Sequence, residues 1–216
     1  MPLMDDKTRE DVRELLKDLT GPVKLLMFTQ QFECQMCAET RQISEEVAAL
    51  NDLITVEVKD FVENEADAKS MNLDKIPAIA VLGADDTDYN IRFYGIPSGY
   101  EFMSLLEAIK LVSSGQADLS AETQQYLDAL DGDLHLQVFV TPTCPYYPQA
   151  VILAHKLAFA SDKVRADMIE ANEFPHLSMK YNVMGVPRTV INEDTFLEGA
   201  APEQMLLGKV QEAMAG

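Results

Sequence analysis

The strongest constraint on the fold is an internal repeat whose two copies are offset by 110 residues. Moving 110 positions along the chain takes Cys34 to Cys144 and Pro77 to Pro187, and similar residues surround both members of each pair. Self-similarity at a fixed period indicates a duplicated structural unit. Because 216 residues are also enough for two small domains, the sequence predicts two tandem copies of one fold.

Each copy has the same predicted order of strands and helices. A short apolar run, typical of a buried strand, precedes the cysteine at residues 23–28 and again at 134–140. A helical pattern and a second strand follow, and a proline then opens a third apolar strand, a position where strands tolerate proline. The order in each copy is β-α-β-α-β-β-α behind one leading helix, which predicts an α/β fold.

The repeat also indicates where the two units divide. Gly95 and Gly199 close equivalent strands but are only 104 residues apart, so the first copy holds six extra residues around the acidic turn at 84–88. A loop accepts such an insertion at little cost. The polar, glycine-containing segment 113–118 is the predicted linker, which gives an N-terminal unit at 1–115 and a C-terminal unit at 116–216.

The composition excludes several classes of protein. Thirty-six acidic against 17 basic residues give a net charge of −19, which opposes binding to nucleic acid or to an anionic membrane surface. No apolar run reaches the roughly 18 residues of a spanning helix, and the first residues lack the apolar stretch of a signal peptide. Three cysteines do not make a secreted disulfide framework, so we expect a cytoplasmic protein.

Cys34 and Cys37 form a Cys-x-x-Cys motif between a predicted strand and a predicted helix. The amides at the start of a helix stabilise a thiolate, and the spacing allows the two sulfurs to form a disulfide. In this interpretation Cys34 attacks a substrate disulfide and Cys37 resolves the mixed disulfide. Glu33, directly before the motif, opposes the activation because a neighbouring negative charge disfavours the thiolate.

Two other interpretations of this pair are a zinc site and inert structural thiols. Zinc needs two further ligands, and His135, His155 and His176 all lie in the second half without a matching spacing. The position of both cysteines at a strand-to-helix junction favours redox chemistry over inert thiols. We therefore expect neither a metal nor another cofactor.

Four long stretches, residues 23–37, 92–102, 139–146 and 181–187, carry a family resemblance. They resemble the tandem glutaredoxin-like protein disulfide oxidoreductases, which join two thioredoxin-fold units in one chain. The layout is also similar to the N-terminal domain of the flavoprotein subunit of alkyl hydroperoxide reductase. The resemblance implies two tandem thioredoxin-like units, each a mixed central sheet flanked by helices.

The resemblance also implies a role for the two repeated prolines. Pro77 and Pro187 would follow cis peptide bonds, which are uncommon, and each would face the cysteine motif of its own unit. The residue before each proline would offer backbone hydrogen bonds to an incoming peptide. This places Ile76 and Val186 in the substrate grooves.

The second motif departs from the family at Tyr147. Where the family has Cys-Pro-Tyr-Cys, this chain has Cys144-Pro145-Tyr146-Tyr147, so the C-terminal unit cannot form an internal disulfide. Three interpretations of Cys144 stay open: a monothiol site that awaits a second thiol, a decayed site kept for folding or client binding, and a disulfide partner of Cys34.

Acidic residues recur in the second strand of both copies, where Glu57 corresponds to Asp167. The resemblance implies that a buried acid behind the cysteines can assist proton transfer. Strand alternation, however, places Glu57 with Thr55 and Lys59 on one face, which we expect to be solvated.

The sequence therefore predicts a thiol–disulfide oxidoreductase that exchanges electrons with protein disulfides or thiols through Cys34 and Cys37, with Cys144 as a possible monothiol site. A thioredoxin-reductase-type or glutathione system would recharge it. The alternative prediction is a client-binding or electron-relay module for a peroxidase or similar partner, with a redox-inactive C-terminal unit.

Overall fold

The computed structural model describes residues 2–143 and 148–215. Cys144 and Tyr147 lie outside the described residues, so the predictions made for them stay predictions. The helices are α1 (Asp6–Leu15), α2 (Cys37–Ala48), α3 (Glu65–Ser70), α4 (Glu101–Ser114), α5 (Ala121–Asp128), α6 (Pro148–Ala160), α7 (Pro175–Lys180) and α8 (Glu203–Ala215). The strands are β1 (Val23–Thr29), β2 (Ile54–Asp60), β3 (Ala78–Leu82), β4 (Asp88–Tyr94), β5 (Leu134–Val140), β6 (Val164–Glu170), β7 (Arg188–Ile191) and β8 (Thr195–Glu198).

The leading helix of each unit begins at a side-chain cap. The Asp5 carboxylate accepts a hydrogen bond from Thr8 N at 2.7 Å before α1. Ser120 Oγ accepts one from Thr123 N at 3.2 Å before α5. Such caps satisfy amides that have no partner within the helix, so both copies use the same local signal to start.

Each unit contributes a mixed sheet. In the first unit the strand order is β2-β1-β3-β4, with β1 parallel to β2 and antiparallel to β3. The second unit has the equivalent order β6-β5-β7-β8 with the same directions. The predicted α/β class and mixed central sheets are therefore confirmed.

The two sheets join edge to edge. Strand β4 pairs in parallel with β6, from Ile91 opposite Ala166 to Tyr94 opposite Ile169. One sheet, in the order β2-β1-β3-β4-β6-β5-β7-β8, thus runs through the described chain. Because β1, β4 and β6 all point the same way, the loops that follow them meet at one edge of the sheet.

Helices cover both faces of this sheet. Alternation along β1 sends Val23, Leu25 and Met27 to the face covered by α1, α2, α4, α5, α6 and α8. Leu26 and Phe28 point to the opposite face, which carries α3 and α7. None of the helices within residues 2–143 and 148–215 combines the length and apolar character needed to cross a membrane.

The first unit's last helix extends further than the sequence indicates. The predicted linker begins at residue 113, but α4 continues to Ser114 and ends at Gly115, whose φ is +70°. Ser113 is buried, and its Oγ accepts hydrogen bonds from Thr20 N at 2.9 Å and Gly21 N at 3.0 Å. These tertiary contacts hold a polar residue in the helix that local composition assigns to a linker.

Candidate active site at the Cys34–Cys37 disulfide

Cys34 and Cys37 are joined by a disulfide, with Cα atoms 5.5 Å apart. The pair lies after β1, and Cys37 is the first residue of α2, so the predicted strand-to-helix placement is confirmed. Cys34 is half-buried, whereas Cys37 is only 3% exposed. An incoming sulfur therefore reaches Cys34 first.

The start of α2 is held by a buried threonine. Met36 O accepts hydrogen bonds from Thr40 N at 2.9 Å and from Thr40 Oγ1 at 2.6 Å. Thr40 itself is fully buried, so the first turn of the helix is fixed against the core. This turn sets the position of Cys37 beneath Cys34.

The cis prolines predicted from the resemblance are confirmed. The Ile76–Pro77 and Val186–Pro187 peptide bonds are both cis. Ile76 and Pro77 line a groove of about 640 Å³ together with Cys34, so the structure brings the predicted residues of the first site together. In the second unit Val186 is half-buried and Pro187 is buried, but the cysteine assigned to them lies outside the described residues.

The other wall of the Cys34 groove comes from the second unit, which the sequence did not predict. The second-unit residues that line it are Pro142, Glu170, Asn172, Glu173 and Pro175. Most of them lie at the end of β6 or directly after it, and the pairing of β4 with β6 places this segment beside the first unit. The repeat contains no signal for this contact, because it follows from how the copies join rather than from either copy.

Gly95 allows the second unit to approach this closely. Its φ is +87°, and a Cβ atom there would lie 2.6 Å from Glu170 Cβ and 2.7 Å from Glu173 Oε1. The next residue, Ile96, donates its N–H to Glu173 Oε1 at 2.7 Å. The backbone of the first unit thus positions a carboxylate of the second unit in the groove.

Burial raises the pKa of Glu173 to about 7. The hydrogen bond from Ile96 N lowers it, while the negative charges of Glu170 and Glu39 raise it further. Glu33 is a further acid in the lining, and the described lining residues include no lysine, arginine or histidine. The groove beside the disulfide is therefore acidic.

Gly95→Ala should destabilise the protein by about 2 kcal/mol, because it combines a positive φ with overpacking. The repeat supplies a matched control, since Gly199 also has a positive φ, of +79°, but nothing lies within 4 Å of the place that a Cβ atom would take there. Gly199→Ala should cost only about 1 kcal/mol. Urea unfolding of both variants measures the difference, and equal losses would contradict the close packing of the two units at Gly95.

The acids at the 110-residue offset have different environments. Glu57 lies on the edge strand β2, and its side chain is 43% exposed beside Lys24, as expected for a solvated face. Asp167 is fully buried and accepts hydrogen bonds from Arg165 at 2.9 Å and His135 at 2.7 Å. Asp167 differs from Glu57 because its strand lies between β4 and β5 rather than at an edge of the sheet.

Comparisons with known proteins agree with this architecture. The thioredoxin domain family model matches residues 134–212. In sequence the chain is 27% identical to the NTD_N/C domain of alkyl hydroperoxide reductase AhpF from Enterococcus faecalis, for which a crystal structure is known. The two structures align with a TM-score of 0.88, over 98% of this chain and 99% of that one. It is 28% identical to a protein disulfide oxidoreductase from Aeropyrum pernix, with a TM-score of 0.92 and coverage of 98% and 94%.

This chain has a fold of two thioredoxin-like units, as these structural neighbours do. It is similar to part of the AhpF component of alkyl hydroperoxide reductase, with 25% identity to the Pseudomonas putida protein over 208 residues, which cover 96% of this chain and 37% of that protein. The Escherichia coli protein is 23% identical over 208 residues, which again cover 96% of this chain and 37% of that protein. The chain thus spans about 37% of the length of these curated relatives. The likeness to the Aeropyrum pernix protein disulfide oxidoreductase supports a thiol–disulfide oxidoreductase in general.

Proposed function

We propose that this double thioredoxin-fold protein exchanges electrons with protein disulfides and dithiols through Cys34 and Cys37. One observation carries the proposal: a disulfide with one half-buried and one buried sulfur opens into a groove that also contains the cis Ile76–Pro77 bond. An accessible sulfur can form an intermolecular bond, and a shielded neighbour can then break it.

The reaction follows from the different exposure of the two sulfurs. In the reduced protein, the Cys34 thiolate attacks a client disulfide, and one client sulfur leaves as a thiolate that takes up a proton. The Cys37 thiolate then attacks Cys34 Sγ, which releases the second client sulfur and closes the Cys34–Cys37 disulfide. Two electrons pass from the dithiol to the client, and a dithiol reductase of the thioredoxin-reductase type or two glutathione thiols restore them.

Ile76 and Pro77 are proposed to bind the backbone of the client segment in the Cys34 groove. Val186 and Pro187 are proposed to do the same in the second unit, with Cys144 as a monothiol. The division into units at 1–115 and 116–216 and a cytoplasmic location belong to the same proposal. The cis peptide bonds before Pro77 and Pro187 support the binding roles in both units. The end of α4 at Gly115, in a left-handed backbone conformation, supports the division into units, and the small number of cysteines supports the location.

An electron-relay role is the second candidate function. It is favoured by the curated relatives, because this chain matches a part of the alkyl hydroperoxide reductase protein AhpF rather than the whole of it. In that role Cys34 and Cys37 would pass electrons to one dedicated partner such as a peroxidase. Efficient reduction of many unrelated protein disulfides would contradict it.

The test of the proposed function traps the intermediate. In Cys37→Ser the resolving step is lost, so the reduced variant should accumulate a mixed disulfide with a disulfide-bonded client peptide. Intact-mass measurement followed by peptide mapping should place the peptide on Cys34, since Cys37 is shielded. In the reverse variant, Cys34→Ser, adduct formation at Cys37 should be slow; faster labelling there than at Cys34 would refute the proposed order of attack.

A further inference from the structure

The groove beside Cys34 is built by both units, and this gives it a chemical preference. We propose that it selects client segments that carry lysine or arginine next to the reactive cysteine, and that Glu173 of the second unit is the residue that recognises this charge. The inference rests on the proposed function of the Cys34–Cys37 pair and names its class of client.

The charge of the lining residues supports this preference. Glu33 directly precedes Cys34, and Glu170 and Glu173 form part of the opposite wall. No cationic side chain is among the described residues that line the groove. A client with acidic residues beside its cysteine would meet like charges on both sides, whereas a basic client would neutralise them.

Glu173 is the acid that is arranged to meet a client. Glu170 is buried, and its two oxygens already accept hydrogen bonds from Asn172 Nδ2 and Glu173 N, both at 2.7 Å. Glu173 is only partly buried, and one of its oxygens, Oε1, is fixed by Ile96 N. Its Oε2 accepts no hydrogen bond from the residues that the structure describes, so it is available to a donor from the client.

The raised pKa of Glu173 is consistent with a carboxyl group that lacks a cationic partner in the free protein. Burial and the charges of Glu170 and Glu39 make ionisation unfavourable in the free protein. A lysine or arginine of the client would supply the opposite charge that this carboxylate lacks. A client of the wrong charge would add to the repulsion that is already present.

The repeat provides a matched control for this residue. Glu63 stands 110 positions before Glu173 in the equivalent loop after β2, is exposed and does not line the Cys34 groove. At a pH above the pKa of Glu173, Glu63→Gln and Glu173→Gln each remove one carboxylate charge, at equivalent positions of the two copies. A preference that arises only from the overall negative charge of the protein would respond equally to both.

The experiment compares two disulfide-linked peptide substrates that differ only in having Lys or Glu on both sides of the cysteine. Values of kcat/KM are measured at low ionic strength and divided by the rates of the same peptides with dithiothreitol, because neighbouring charges also change the intrinsic reactivity of a thiol. The parent protein should prefer the Lys peptide about tenfold, and 0.5 M NaCl should weaken this preference because salt screens exposed charges.

Glu173→Gln should lower the normalised preference at least about threefold, whereas Glu63→Gln should leave it unchanged. A normalised preference near one in the parent, or an equal loss in both variants, would overturn the inference. Hydroxyethyl disulfide, a small neutral substrate, separates this result from the proposed function. If hydroxyethyl disulfide is turned over but the Lys and Glu peptides react equally well, the inference is wrong and the proposed function stands.

If the parent turns over neither hydroxyethyl disulfide nor the peptides, the proposed function fails. The inference is then decided by fluorescence anisotropy with labelled peptides in which serine replaces the cysteine. Tighter binding of the Lys peptide than of the Glu peptide to the oxidised protein, lost in Glu173→Gln and kept in Glu63→Gln, supports the recognition. Equal binding of the two peptides overturns it.

Discussion

Cys34→Ser should lower the turnover of a protein disulfide by at least about 100-fold, because a hydroxyl does not replace the thiolate nucleophile. Insulin reduction with dithiothreitol as the electron source measures this loss. The half-buried position of Cys34 and the shielding of Cys37 make Cys34 the entry point for the client. Removing it therefore removes the first bond-forming step rather than slowing a later one.

Cys144→Ser is the control for the same assay, since it removes the one cysteine outside the pair. It should retain most of the turnover if the working dithiol is Cys34 and Cys37. Loss of turnover in Cys144→Ser, with retention in Cys34→Ser, would show that the reactive sulfur belongs to Cys144 in the second unit. A parent protein that reduces only a particular partner would instead favour the relay function.

The sequence predicts the elements of the fold well because each is specified locally and specified twice. The apolar run at 134–140 coincides with β5, and the caps at Asp5 and Ser120 mark the starts of equivalent helices. The spacing of Cys34 and Cys37 is equally local, so the disulfide could be predicted without knowing any tertiary contact. The cis bonds came from the resemblance to a family rather than from the residue pattern.

What the sequence could not predict depends on how the two copies join. Pairing of β4 with β6 brings Glu173 to Cys34 although 139 positions separate them in the chain. The same pairing buries Asp167 while its counterpart Glu57 stays on an edge strand. The repeat in the sequence shows only what the two copies have in common. The position of Glu173 and the burial of Asp167 depend instead on contacts that one copy makes and the other does not.

Asp167→Ala should destabilise the protein by about 3 kcal/mol, because removing one partner of a buried ion pair leaves the other uncompensated. The Arg165 guanidinium is only 19% exposed and also donates to Tyr94 OH at 2.9 Å on β4. Asp167 thus stabilises a cation at the junction of the two units. Urea unfolding at neutral pH measures the loss as a lower midpoint.

Glu57→Ala is the control, because it removes an acid at the equivalent position of the other copy. Its partner Lys24 also lies 2.5 Å from Asp86, and exposed ion pairs contribute at most about 1 kcal/mol. A loss in Asp167→Ala as small as that in Glu57→Ala would mean that the buried network does not stabilise the junction.

The effect of Asp167 should also depend on pH in a defined direction. Burial raises the pKa of Asp167, but the hydrogen bond and charge of His135 and those of Arg165 hold it well below its ordinary value of 3.8. A carboxyl group with a lowered folded-state pKa stabilises the protein fully above its unfolded-state pKa and loses this contribution as the pH falls through the folded-state pKa. The difference between the parent and Asp167→Ala should therefore be present at neutral pH and shrink as the pH falls below about 4. A difference that instead grows as the pH falls below about 4 would show that Asp167 is protonated in the folded protein, and that Arg165 is held at the junction by other contacts.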